Sequence, residues 1–223
     1  MAAEGLRAVR LAIAQACATI GRSPDSVELV VVSKQRSDAD VLRVYEQGHR
    51  LFAENREQGL KARIASDLPE DIVWHFVGPL QTRKVPFVAD HVALLHSMDR
   101  ERLARKWSER SDVPVLLQFN LAGEEQKSGF DPKDAGRVIE DALETGLSVR
   151  GVMAIPPIAD APEKSRPWLA DLRPISDRYR GGYPDLDICS MGMSIDFPVA
   201  IEEGATMVRV GRAIFAEKEQ AES

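Results

Sequence analysis

Cysteine is scarce. The 223 residues hold two, Cys17 and Cys189, far apart and in no CxxC pair. That excludes a disulfide framework and leads us to expect a reducing, cytoplasmic setting. The four histidines, His49, His75, His91 and His96, lack ligand spacing, so no metal centre is expected. Basic tracts are absent and the net charge is -6, which argues against nucleic acid or an anionic membrane as partner. No apolar run reaches the length of a membrane span. No Gly-x-Gly-x-x-Gly follows the first predicted strand, so the dinucleotide-binding fingerprint is missing.

What is present is an ordinary globular composition, 44% hydrophobic and 29% charged, enough for one sizeable core. Residues 1–24 read as an amphipathic helix and linker, with Leu6, Val9, Ile13, Ala16, Cys17 and Ile20 at helical spacing. Eight apolar, β-branched runs follow: 27–34, 49–54, 71–78, 92–97, 113–120, 147–154, 186–190 and 206–210. Helical stretches separate them. Asp38, Asp99, Asp131 and Asp196 are read as helix caps, and prolines 162, 167 and 174 blur the ends of one helix. A frayed tail is expected over 217–223.

Strand-helix alternation implies a parallel sheet, and eight units in this length favour a single (β/α)₈ barrel domain over residues 1–223. A barrel gathers the carboxyl ends of its strands on one face, where barrel enzymes place their chemistry. Here those ends carry Lys34, Asn55, Gly78, Ser97, Asn120, Ala154, Ser190 and Gly211.

The run VELVVVSK delivers Lys34 to that face. Burial at a strand end disfavours an ammonium, and a neutral amine condenses with aldehydes; the plainer reading is a lysine that closes the strand and points to water. After the seventh and eighth strands come Ser190-Met191-Gly192, Ser194 and Gly211-Arg212. Glycines and hydroxyls at those two loops suit a phosphate. Together they describe a pocket for a phosphorylated aldehyde, either pyridoxal 5'-phosphate (PLP) or a small sugar phosphate. Arg209, inside the last strand, has two readings. It lies beside a pyridine nitrogen and disfavours its protonation, or it pairs with a barrel carboxylate such as Glu54.

The motifs VVSK (31–34), FAEN (52–55), WHFVGPLQTRK (74–84), LLHSM (94–98), QFN (118–120) with KSG (127–129), GVMAIPP (151–157), CSMGMSIDFPVAI (189–201) and VRVGRAIF (208–215) resemble those of the pyridoxal phosphate homeostasis proteins, the YggS/PROSC family. The resemblance spans nearly the whole chain. It implies a barrel like the N-terminal domain of alanine racemase, with PLP as a Schiff base on Lys34. It implies phosphate contacts from Ser190, Met191, Gly192, Ser194, Gly211 and Arg212, and Arg209 near the pyridine nitrogen. Asn55, His75, Ser97 and Met153 match positions that line the pocket.

The chain departs from that pattern at Arg212, where Thr or Ser is usual, and at Pro79, Arg83, Ala53 and Ala216. Three functions compete: a PLP carrier in vitamin B6 homeostasis, a PLP-dependent racemase, and a cofactor-free Schiff-base aldolase. The related racemases bring a catalytic tyrosine from a second domain. No such domain is expected here, and Tyr45, Tyr179 and Tyr183 fall away from the rim. The carrier reading is therefore preferred, with PLP as ligand, PLP-requiring apo-enzymes as recipients, and a monomer.

Overall fold

The apolar runs form eight strands: β1 (Glu28–Val32), β2 (Leu51–Glu54), β3 (Val73–Phe76), β4 (Leu94–Met98), β5 (Val115–Phe119), β6 (Val149–Ala154), β7 (Ile188–Ser190) and β8 (Met207–Val210). Every neighbouring pair is parallel, and β8 returns to β1 through Leu29↔Val208 and Val31↔Val210 to close a barrel. This computed structural model describes residues 2–123, 128–157, 160–180, 182–183 and 185–215. The expected tail at 217–223, Ala216, and Lys127 of the KSG motif lie outside them.

Two cores explain why the runs are continuously apolar. Val30, Leu51, Ala53, Leu94, Leu116, Met153 and Met207 cluster inside the barrel. Their neighbours Val31, Phe52, Leu95, Leu117, Val152 and Val208 belong to a second cluster with the helices. Successive strand side chains point to opposite faces, and here both faces are covered.

Nine α-helices surround the strands among the described residues: α1 (Ala2–Thr19), α2 (Asp38–Tyr45), α3 (Glu57–Ile64), α4 (Val85–Ala89), α5 (Glu101–Ser108), α6 (Ala135–Glu144), α7 (Arg166–Arg180), α8 (Phe197–Glu202) and α9 (Arg212–Phe215). The stripe predicted on α1 is buried from Leu6 to Cys17, but Ile20 falls beyond the helix and is exposed. α1 lies close against α9: a Cβ on Gly5 would stand 2.2 Å from the Ile214 carbonyl oxygen. None of the helices, among the described residues, is long and apolar enough to cross a membrane.

Three cap expectations change. Ser37, not Asp38, caps α2, in a box with Asp40 that frees the Asp38 carboxylate for Arg63. Asp99 pairs with the neighbouring Arg100 instead of capping α5. Asp196 stands at the start of α8 but accepts from the Met193 N–H at 2.7 Å. Asp131 does cap, on the 3₁₀ turn Pro132–Asp134 that leads into α6. Helix α7 runs straight through Pro174. Buried Leu169 and Leu172 hold it in place, an example of tertiary packing outweighing the roughly 3 kcal/mol that an interior proline costs.

Candidate functional site

Arg209 sits in β8 between two apolar neighbours, and its side chain turns into the barrel. Its Nη1 donates to Ser190 Oγ at 2.7 Å and its Nη2 to the Ala154 carbonyl at 2.9 Å. Ser190 Oγ lies 3.1 Å from His96 Nδ1, and His96 Nε2 lies 3.0 Å from His75 Nδ1. These residues come from β8, β7, β4 and β3, on opposite sides of the closed ring, so the chain crosses the interior. Glu54, the carboxylate partner considered for Arg209, is engaged elsewhere, by Ser33 and Arg63. That reading is corrected: Arg209 is held by neutral acceptors.

Satisfaction of the buried atoms gives this chain a direction. Arg209 can only donate to Ser190, whose hydroxyl proton then has His96 Nδ1 as its acceptor among the described residues. His96 Nε2–H in turn donates to His75 Nδ1, leaving the proton of His75 on Nε2. Burial keeps both rings neutral. His75 is pushed down to about 4, and His96, further opposed by His75 and Arg209, well below its ordinary value. Burial also lowers Arg209, to about 10, with Asp196 opposing; it remains a cation at neutral pH.

Lys34 follows β1 by two residues, in a turn at the mouth. Of the two readings of the strand end, a sheltered amine or a lysine pointing to water, the structure shows the second: β1 stops at Val32 and the turn lifts Lys34 out, so its side chain is exposed. Its Nζ bonds to no described residue. The turn itself is firmly held. Arg63 Nη2 donates to the Ser33 and Arg36 carbonyls at 3.1 and 2.6 Å, Nε to Glu54 Oε1 at 3.2 Å, and Nη1 to Asp38. Within it Gln35 adopts φ 60°, a left-handed conformation uncommon outside glycine.

The last two loops meet this turn from the other side. A Cβ on Gly211 would lie 2.8 Å from the Val32 carbonyl oxygen, so β8 ends in direct contact with the end of β1. Gly192 has φ 89°, and a Cβ there would stand 2.5 Å from Ala200 Cβ. Ser194 Oγ accepts from the amides of Gly211 and Ala213, at 3.4 and 3.2 Å. The Met191 amide is already bonded to the Met207 carbonyl. Arg212 is exposed.

The remaining predicted positions differ in role. Asn55 is half-buried at the end of β2, with its backbone against Gly78. Ser97 is buried, but its hydroxyl is committed to the Gly78 carbonyl at 2.5 Å. Met153 belongs to the interior apolar cluster. His96 and Arg63 were not singled out from the sequence. His96 repeats the inward alternation of His75 on the adjacent strand, which was a readable signal. Arg63 carried only its spacing from Leu60 on a helix face. Tyr45 bonds to Asp71, before β3, and Tyr183 precedes β7, both toward the opposite end of the barrel. The Tyr179 side chain lies outside the described set.

Comparison with known proteins shows the family. The sequence model of the alanine racemase N-terminal domain covers residues 8–219. A pyridoxal phosphate homeostasis protein of Aquifex aeolicus is 38% identical over 224 residues, 97% of this chain and 98% of that one. The chain belongs to the pyridoxal phosphate homeostasis protein family. The pyridoxal phosphate homeostasis protein of Escherichia coli K12 is 35% identical, covering 97% of both chains. PipY of Synechococcus elongatus, solved with PLP bound, is 32% identical with a TM-score of 0.73, over 91% of this chain and 99% of that one.

Proposed function

We propose that this chain binds PLP at the carboxyl-end mouth of its barrel, on Lys34, and serves intracellular vitamin B6 homeostasis without robust amino-acid turnover. The observation that carries the reading is the contact of the β8 end with the β1 end. It brings the Gly211 turn beside the turn that bears the mouth's exposed lysine. When bound, PLP supplies an aldehyde that condenses with a primary amine, losing water, and a ring able to accept electrons.

The residues present fit that group. Gly192 packs against Ala200 and Phe197, and Gly211 against the Val32 carbonyl, too closely for a side chain, so both loops lie tight on the barrel mouth beside the Lys34 turn. Ser194 orders the Gly211 and Ala213 amides and offers its own proton. Ser190 is assigned a different part from the one its motif implies. Its hydroxyl is spent between Arg209 and His96, so it orients Arg209. A cation held at that point disfavours a proton on a ring nitrogen facing it, which weakens electron withdrawal and suits a carrier. The neutral histidines add no charge and keep Ser190 aimed at the guanidinium. PLP-requiring apo-enzymes are the recipients in this reading, and the carrier is a cytoplasmic monomer.

The test is a spectrum of purified protein before and after borohydride, then peptide mapping. We expect a visible band, a reduced adduct on Lys34, loss of both in Lys34→Ala, and no racemised alanine by chiral chromatography. An unlabelled Lys34 ends the proposal.

A further inference from the structure

We infer that Arg63 is a positioning residue for Lys34: it holds the amine-bearing turn by the carbonyls on either side of it, and Glu54 aims it. This rests on the reading that Lys34 carries PLP.

The geometry is specific. Arg63 lies on α3, nearly buried, on a different element from the turn that carries Lys34. One of its nitrogens, Nη2, reaches both the Ser33 carbonyl and the Arg36 carbonyl, the residues that bracket Lys34 and Gln35. Its Nε is fixed by Glu54 Oε1, and the same oxygen accepts from Ser33 Oγ at 2.9 Å. Glu54 is 2% exposed and is fitted against α3 where Gly59 has no side chain; a Cβ there would stand 2.7 Å from Oε2. Ser33 N–H also donates to the Ala53 carbonyl at 3.0 Å. The first residue of the turn is thus fixed to β2, and its last carbonyl to α3.

Three features require such a device. Lys34 itself bonds to no described residue, so among these residues it is the turn that places its stem. Gln35 is held in a left-handed conformation, which persists only where surroundings impose it. Arg36, next in line, lays its guanidinium 5.4 Å from the Phe215 ring of α9, so the turn is also tied to the element that follows Gly211. A planar fork with five fixed donors spans two carbonyls and a carboxylate from one pre-set geometry; an ammonium is a single point charge on a flexible stem.

The test uses the full chain in two forms. Arg63→Lys keeps the charge beside Glu54 and removes the fork. The pair Arg63→Met with Glu54→Gln removes the buried charges together, which guards against a misfolded single variant. The first arm needs no ligand: backbone amide exchange over 34–36, and trypsin cleavage after Lys34 and Arg36, in the PLP-free proteins. We expect exchange there at least about tenfold faster in both variants, with β1 and β2 amides unchanged. The second arm measures release of PLP from loaded protein by decay of its visible band, expected to be about five- to tenfold faster. Unchanged exchange over 34–36 in both variants overturns the inference. So does a loosened turn that releases PLP at the wild-type rate, because Arg63 would then be merely structural. Failure of the PLP reading is seen separately, as a wild-type Lys34 that borohydride leaves unlabelled, and it removes the inference with it.

Discussion

Arg209 on β8 donates to Ser190 on the adjacent strand β7, Nη1 to Oγ at 2.7 Å, and no carboxylate among the described residues lies within ion-pair distance of it. A buried cation is expensive unless its donors are satisfied. Here a hydroxyl and a backbone carbonyl take that place, and two neutral imidazoles extend the chain.

Ser190→Ala should therefore be costly despite its small change in volume. It leaves one Arg209 donor and His96 Nδ1 without partners, each worth about 1–3 kcal/mol when buried. Urea unfolding should show a loss of at least about 2 kcal/mol. A loss under about 0.5 kcal/mol would mean that water or a shifted Arg209 takes over the bond. The loosened guanidinium should also shift the visible band of PLP-loaded protein.

Acid should destabilise the fold through histidine. Burial holds His49 and His75 at about 4, against about 6.5 in an unfolded chain. The unfolded state thus binds more protons between those values, and stability rises with pH across that window. It is fully present above about pH 6.5 and is lost as pH falls toward 4, by up to about 3 kcal/mol for each ring. His49 is the cleaner probe, since it lies outside the His75–His96 pair: its Nε2 meets the Leu51 carbonyl at 2.7 Å, and Arg10 and Arg50 nearby reinforce the effect of burial. His49→Gln should flatten the stability profile between pH 6.5 and 4.5. A variant as acid-sensitive as the parent would show that His49 is not responsible.

Strand order and barrel closure were legible because eight β-branched runs alternate with helical stretches, and a run such as Leu29 to Val32 is apolar on both faces. Motif spacing also marked the glycines of the last two loops. Two things were hidden. The cap at Ser37 displaced Asp38 because a serine with an acid three residues later satisfies two amides, while a lone aspartate satisfies one. The Arg63 clamp joins residues 27 and 30 positions apart, and no local pattern encodes such a pairing. Whether Lys34 is sheltered or exposed was open for a similar reason: strand composition does not say where the last ladder bond falls.

Gly192→Ala should damage both stability and phosphate affinity. The backbone there has φ 89°, and the new methyl would meet Ala200 Cβ at 2.5 Å and Phe197 Cα at 2.9 Å. The left-handed conformation alone costs about 1–2 kcal/mol outside glycine. The clash must add to that, because α8 is packed behind the loop. Thermal melts with and without PLP should show a lowered midpoint and a smaller stabilisation by ligand. If PLP stabilises the variant as much as the parent, the Gly192 loop is not part of the phosphate cradle.

Arg212→Thr restores the hydroxyl that the sequence resemblance implies at this position. Arg212 opens α9 beside Gly211, exposed, so a favourable effect on a phosphate is mostly long-range and screened. At low ionic strength the variant should bind PLP a few-fold more weakly. The gap should close near about 1 M salt, where the screening length falls to about 3 Å. Pyridoxal, which lacks the phosphate, provides the control, and its binding should be indifferent to the substitution. Equal PLP affinity for parent and variant at every salt concentration would place the Arg212 side chain away from the anion, leaving the Ser194 hydroxyl as the donor on this loop.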